Sequence, residues 1–93
     1  MRLRHALVAV LAAALVLVCT SPAQAATGLL VVNGVAHENP GRGCYPASSP
    51  VSVKNFTDST VLVHAAADCQ GPVTAEVGPD QSVTAFGGSY YVF

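Results

Sequence analysis

Two hydrophobic patterns divide this chain. From Ala6 to Val18 every residue is apolar, whereas from Leu29 onward apolar and polar positions alternate in short runs punctuated by Gly, Pro, Asn and Asp. The first run is thirteen residues long, short of the ~20 apolar residues that cross a bilayer at 1.5 Å rise each. Basic residues precede it in Met1–His5, and Thr20-Ser21-Pro22-Ala23-Gln24-Ala25 follows it with the small-x-small ending that a signal peptidase cuts. The segment therefore reads as a cleavable, helical signal peptide over residues 1–25, with a mature chain of 68 residues from Ala26 to Phe93. Beyond it no apolar period of 3.6 is long enough for a helix, and period-2 alternation predicts an all-β fold.

The alternation resolves into individual strands. Leu29–Val32 and Val35–His37 flank Asn33-Gly34, a dipeptide that accepts positive φ at both central turn positions and so predicts a hairpin. Asn39 to Pro50 holds three prolines and two glycines, which exclude a central strand and predict a long loop. Val51–Lys54 alternates with its valines inward, and Asn55–Ser59 reads as a turn. Thr60–Ala66 is apolar on both faces and is expected to be a central strand. Val73–Val77, the turn Gly78-Pro79-Asp80-Gln81, Ser82–Phe86 and Tyr90–Phe93 complete six or seven strands. So many short strands in one domain over 26–93 predict a small two-layer sandwich or barrel with Greek-key or meander connections.

A domain near this size buries only ~60 % of the surface its unfolded chain exposes and needs help to stay folded. The cysteines supply it. Cys19 falls in the signal, and the Val18 before it is not the Gly, Ala or Ser that precedes a lipidated cysteine. Cys44 and Cys69 remain, an even pair in an exported chain, without the C-x-x-C spacing of a metal site, and a structural disulfide between them is expected.

Removal of the signal changes the charge. Arg42 and Lys54 face Glu38, Asp58, Asp68, Glu76 and Asp80, a formal charge of −3 against −1 for the full chain. That excludes the clustered Lys and Arg that nucleic acid or an anionic membrane requires. The absence of isoleucine, the single lysine and the abundance of Ala, Val and Gly suggest GC-rich coding of the actinobacterial kind.

Catalytic chemistry has little to stand on. His37, Glu38, His64 and Asp68 carry suitable side chains, but no H-E-x-x-H or related spacing links them. Ser48, Ser49 and Ser89 lack a G-x-S-x-G elbow. Asp58, Asp68 and Asp80 are spread one per turn instead of concentrated as in a calcium loop. Asn55-Phe56-Thr57 matches a glycosylation acceptor and is read as a turn. No enzyme activity, metal or cofactor is expected. Arg42 is the one cation in the Pro40–Pro46 loop, which Cys44 would tether, and a tethered loop binds a partner at reduced entropy cost. Tyr45, Tyr90, Tyr91 and Phe93 offer rigid aromatic surface for a partner or for the core.

Gly43-Cys44-Tyr45, Val53-Lys54-Asn55-Phe56-Thr57, Asp68-Cys69-Gln70-Gly71, Val77-Gly78-Pro79-Asp80-Gln81-Ser82 and Phe86-Gly87-Gly88-Ser89-Tyr90-Tyr91-Val92 together resemble short secreted actinobacterial proteins of unassigned function. Their pattern is similar in turn to crystallin-like Greek-key modules and secreted protease inhibitors. The exported two-layer β plan also resembles the streptomycete α-amylase inhibitors, whose Trp-Arg-Tyr and second disulfide are absent here. Two functional expectations follow. One is a secreted, monomeric, non-enzymatic module that binds a protein or cell-surface polymer, acting as a protease inhibitor through the Pro40–Pro46 loop. The other is a cell-surface or spore-coat component that assembles through sheet edges, with Leu29–Val32 as an unprotected edge.

Overall fold

The computed structural model describes residues 25–93; the expected signal peptide over residues 1–25, with Cys19, lies outside them apart from Ala25. Eight strands, more than the six or seven expected, form two antiparallel four-stranded sheets, the all-β two-layer class that the alternation predicts. They are β1 (Gly28–Val32), β2 (Val35–Glu38), β3 (Gly43–Pro46), β4 (Val51–Thr57), β5 (Val61–His64), β6 (Val73–Val77), β7 (Gln81–Ala85) and β8 (Ser89–Val92). One sheet runs β2-β1-β4-β7 and the other β3-β8-β5-β6. Only β1–β2 and β5–β6 are consecutive strands paired in one sheet. Every other connection crosses between the sheets, so the two layers are woven together and neither is a meander.

The hairpin forms where its sequence requires it. Val32 pairs with Val35, and Asn33 and Gly34 take φ of 50° and 82° between them, the left-handed values of the two-residue turn whose twist matches the strands. Pro79 and Asp80 make the other tight turn, with Asp80 at φ 64° and the Gln81 N–H donating to the Gly78 carbonyl at 3.1 Å.

The core is built from the inward alternation of both sheets: Leu30, Val32, Val51 and Val53 from one, Val61, Val63, Val77, Tyr90 and Val92 from the other, with Ala26 closing one end. β5 is interior to its sheet, between β8 and β6, which is why its outward Leu62 and His64 are still half-buried. The disulfide joins Cys44 on β3 to Cys69 in the 3-10 turn Ala67–Cys69, with the Cα atoms 6.0 Å apart.

Three expectations are corrected. Asn39 to Pro50 is not one long loop, because Gly43–Pro46 pairs with β8 as an extra strand. Pro46 is tolerated there because β3 is an edge, where a missing N–H can face away from the ladder. Asn55–Thr57 is not a turn: β4 runs through it, and the inward alternation Val51, Val53, Asn55, Thr57 is unbroken. Leu29–Val32 is not an edge, because β1 lies between β2 and β4.

Candidate functional site

Arg42 stands exposed at the crossing from β2 to β3. The turn that carries it is held on both sides. The Ala26 N–H donates to the Pro40 carbonyl at 3.1 Å, and the Tyr45 hydroxyl donates to the Gly41 carbonyl at 2.6 Å. Pro40 itself is buried. Cys44, two residues beyond Arg42, is covalently fixed. The free part of the predicted loop is therefore short: Gly41 and Arg42 project, while Gly43–Pro46 belongs to the sheet.

The tyrosines separate onto two faces. Tyr45 and Tyr90 are direct cross-strand partners on the inner face, their rings stacked at 5.3 Å and 14°. Tyr91 lies on the outer face, opposite Cys44 on β3 and Leu62 on β5, and meets Phe93 edge-on at 5.0 Å. On that outer face Leu62, Val73 and Phe93 border a shallow apolar groove with Glu76 at its side.

A second cleft, about 430 Å³, opens between the two edge strands β2 and β3. Val32, Val35 and His37 form one wall and Tyr45, Tyr90 and Ala47 the other. Its end is closed by Asn33, whose side chain donates to the Ser48 carbonyl at 3.1 Å and accepts from the Ser52 N–H at 2.8 Å. Tyr90 is only 3 % exposed. Burial, and secondarily the neighbouring Tyr45, raises its phenol above the ordinary value of 10.0, because the anion would lose its hydration. The folded state thus holds the proton more tightly than the unfolded chain. The stability tied to this group is complete below pH 10.0 and falls as pH rises through the higher folded value. Tyr90→Phe should flatten alkaline denaturation above pH 10.0, monitored by circular dichroism; an unchanged alkaline limb would contradict this placement.

The other candidates have structural assignments. His37 and Glu38 lie on β2, whereas His64 lies on β5 and Asp68 in the 3-10 turn of the opposite sheet. His64 Nδ1 donates to the Gly71 carbonyl at 3.1 Å. Among the described residues no group of three or more His, Cys, Asp or Glu side chains is arranged to hold a metal ion. Asp58 accepts from the Thr27 N–H at 2.9 Å, and Asp68 and Asp80 adopt positive φ in their turns. Ser89, fully buried, donates to the Ala66 carbonyl at 2.6 Å and accepts from the Cys69 N–H at 2.8 Å, fixing the turn that holds the disulfide. Ser49 accepts from the Gly87 N–H at 3.3 Å.

Sequence reasoning missed two features. One is His37 as a wall of the tyrosine cleft, which requires knowing that β2 and β3 face each other across the open side. The other is Asn55, whose place in the 51-53-55-57 alternation was the available signal. No protein-family model, characterised protein or solved structure matches the chain.

Proposed function

We propose that the mature chain is an exported, non-enzymatic β-module that binds another macromolecule through the Arg42 turn, in the manner of a protease inhibitor. The observation that carries this reading is the exposed Arg42 on a turn fixed by Ala26, Tyr45 and the Cys44–Cys69 bond. Fixing the turn before contact removes ordering cost from association, and Arg is a frequent anchor of interface energy. Cleavage after Ala25 would convert the Ala26 N–H into an α-ammonium beside the Pro40 carbonyl, a stronger donor to the same acceptor. Export accords with the disulfide and with the absence, among the described residues, of any helix long and apolar enough to cross a membrane.

The test is inhibition of a trypsin-like protease by the purified mature protein. A stable complex is expected, and Arg42→Ala should weaken it by at least about 30-fold, the loss of an anchor of ~2 kcal/mol. Rapid cleavage after Arg42 with no stable complex would defeat the proposal. The alternative, a surface component assembling through sheet edges, now rests on β2, most of whose residues are exposed at the end of its sheet. Sedimentation separates the two: a persistent monomer at micromolar concentration leaves only the binder.

A further inference from the structure

We infer that the β2 edge and the tyrosine cleft beneath it form a docking site for an extended peptide, which adds as a fifth strand to the β2-β1-β4-β7 sheet and lowers one side chain between Val35 and Tyr90. The inference deepens the binding-module reading and does not depend on Arg42.

The backbone argument begins at the hairpin. A two-residue turn makes Val32 and Val35 a hydrogen-bonded pair, and an antiparallel ladder alternates such pairs with open ones. The Asn39 N–H, which donates to the Gly28 carbonyl at 2.7 Å, continues the same series. Val35, His37 and Asn39 therefore bond to β1 and Gly28, while Ala36 and Glu38 direct their N–H and C=O groups away from the sheet. Among the described residues β1 is the only strand paired with β2. Outward donors and acceptors repeating every second residue are matched in full by another extended chain, and by few other ligands. The facing edge cannot serve equally well, because Pro46 removes a donor from β3.

The cleft supplies the side-chain half of the recognition. Val35 and His37 face inward, opposite Val32 and Leu30 on β1, and a residue of an added strand aligned with them would enter the space walled by Tyr45 and Tyr90. Tyr90 is more than nine-tenths buried, yet its hydroxyl makes no hydrogen bond with the described residues. No fully buried polar side-chain atom among those residues lacks a partner, so that hydroxyl reaches the cleft surface. It therefore offers a polar contact at the base of a slot whose walls also include Val32, Val35, Ala47 and the tyrosine rings. The fitting occupant carries a large side chain with an apolar body and a polar tip at the central position, tyrosine being the simplest. Extended peptides with alternating character present such a side chain at the required two-residue spacing.

The probe is an acetylated, amidated heptapeptide alternating threonine and valine around a central tyrosine, titrated into isotopically labelled mature protein and followed by amide resonances. The amides of Ala36 and Glu38 should shift in a saturable way together with the Tyr90 ring. The same peptide N-methylated at alternate residues should not bind, since it lacks the donors. Ala36→Pro should lose binding as well, and because that N–H faces away from the sheet the substitution leaves the native ladder intact. Tyr90→Phe should weaken binding about fivefold, the equivalent of one neutral hydrogen bond. Equal binding of the N-methylated peptide would overturn the inference. So would shifts of Ala36 and Glu38 that appear with protein concentration alone, which would make a second copy of the chain the occupant. Saturable binding of a soluble oligosaccharide in the cleft, with no response to the peptide, would also overturn it. The titration reads β2 and the Tyr90 ring and not Arg42, so its failure is separable from a failure of Arg42 to inhibit a protease.

Discussion

Reducing the Cys44–Cys69 bond should lower the thermal midpoint of the β domain by more than ~12 °C, because the cross-link closes 25 residues and contributes roughly 3.5 kcal/mol by loop entropy. The structure explains why so much depends on it. β3 is an edge strand held to the fold by pairing on one side with β8, and the turn Ala67–Cys69 has no buried residue of its own. Without the bond these two segments depend on a four-residue ladder, the Tyr45–Tyr90 stack and the Ser89 contacts. Cys44 is exposed, so a thiol reductant can reach the bond without prior unfolding. The measurement is differential scanning calorimetry with and without reductant, beside the Cys44→Ser, Cys69→Ser double variant. Intact mass about 2 Da below the reduced value should accompany the oxidised form. An unchanged midpoint after verified reduction would show that packing alone holds the domain.

Asn55→Ala should cost about 3 kcal/mol or more, the largest expected loss from a single substitution in the sheets. Asn55 is fully buried, and its side chain makes four hydrogen bonds. Its amide nitrogen donates to the carbonyls of Ser59 at 2.7 Å and Val77 at 2.9 Å, and its oxygen accepts from the Thr57 N–H at 3.0 Å and the Thr57 hydroxyl at 2.6 Å. The backbone carbonyl of Asn55 also accepts from the Asp80 N–H at 2.6 Å. One side chain thus ties β4 to the end of β6 in the opposite sheet and to the β4–β5 connection at Ser59. Truncation strands several buried polar groups, each costing about 1–3 kcal/mol, only part of which water entering the space would recover. Asn55→Asp distinguishes hydrogen bonding from shape. Its carboxylate keeps the acceptor but faces two carbonyls, so it should be destabilised at neutral pH and recover partly on acidification, when a protonated oxygen donates again. Denaturant unfolding at pH 7 and pH 4 checks both variants; a cost for Asn55→Ala within ~0.5 kcal/mol of zero would contradict the assignment. The burial of this amide also places the Asn55-Phe56-Thr57 acceptor pattern out of reach of any modifying enzyme acting on the folded domain.

What was legible in the amino-acid sequence is what local chemistry decides. The period-2 alternation carried the all-β class, Asn33-Gly34 its hairpin, Gly78–Gln81 its turn, and the cysteine count the disulfide, because each depends on a few adjacent residues or on simple pairing. Tertiary structure decided the rest. Gly43–Pro46 is a strand because β8 lies beside it, and Pro46 fits because that strand is an edge; neither fact is encoded in the segment itself. Asn55–Thr57 has the composition of a turn, and only the approach of Ser59 and Val77 makes an extended, buried asparagine favourable. The aromatic residues follow the same division. Their identities mark them as anchors, but whether Tyr90 joins Tyr45 in a cleft or Tyr91 joins Phe93 outside depends on strand register and on the opposite sheet, and a one-residue shift would exchange their faces.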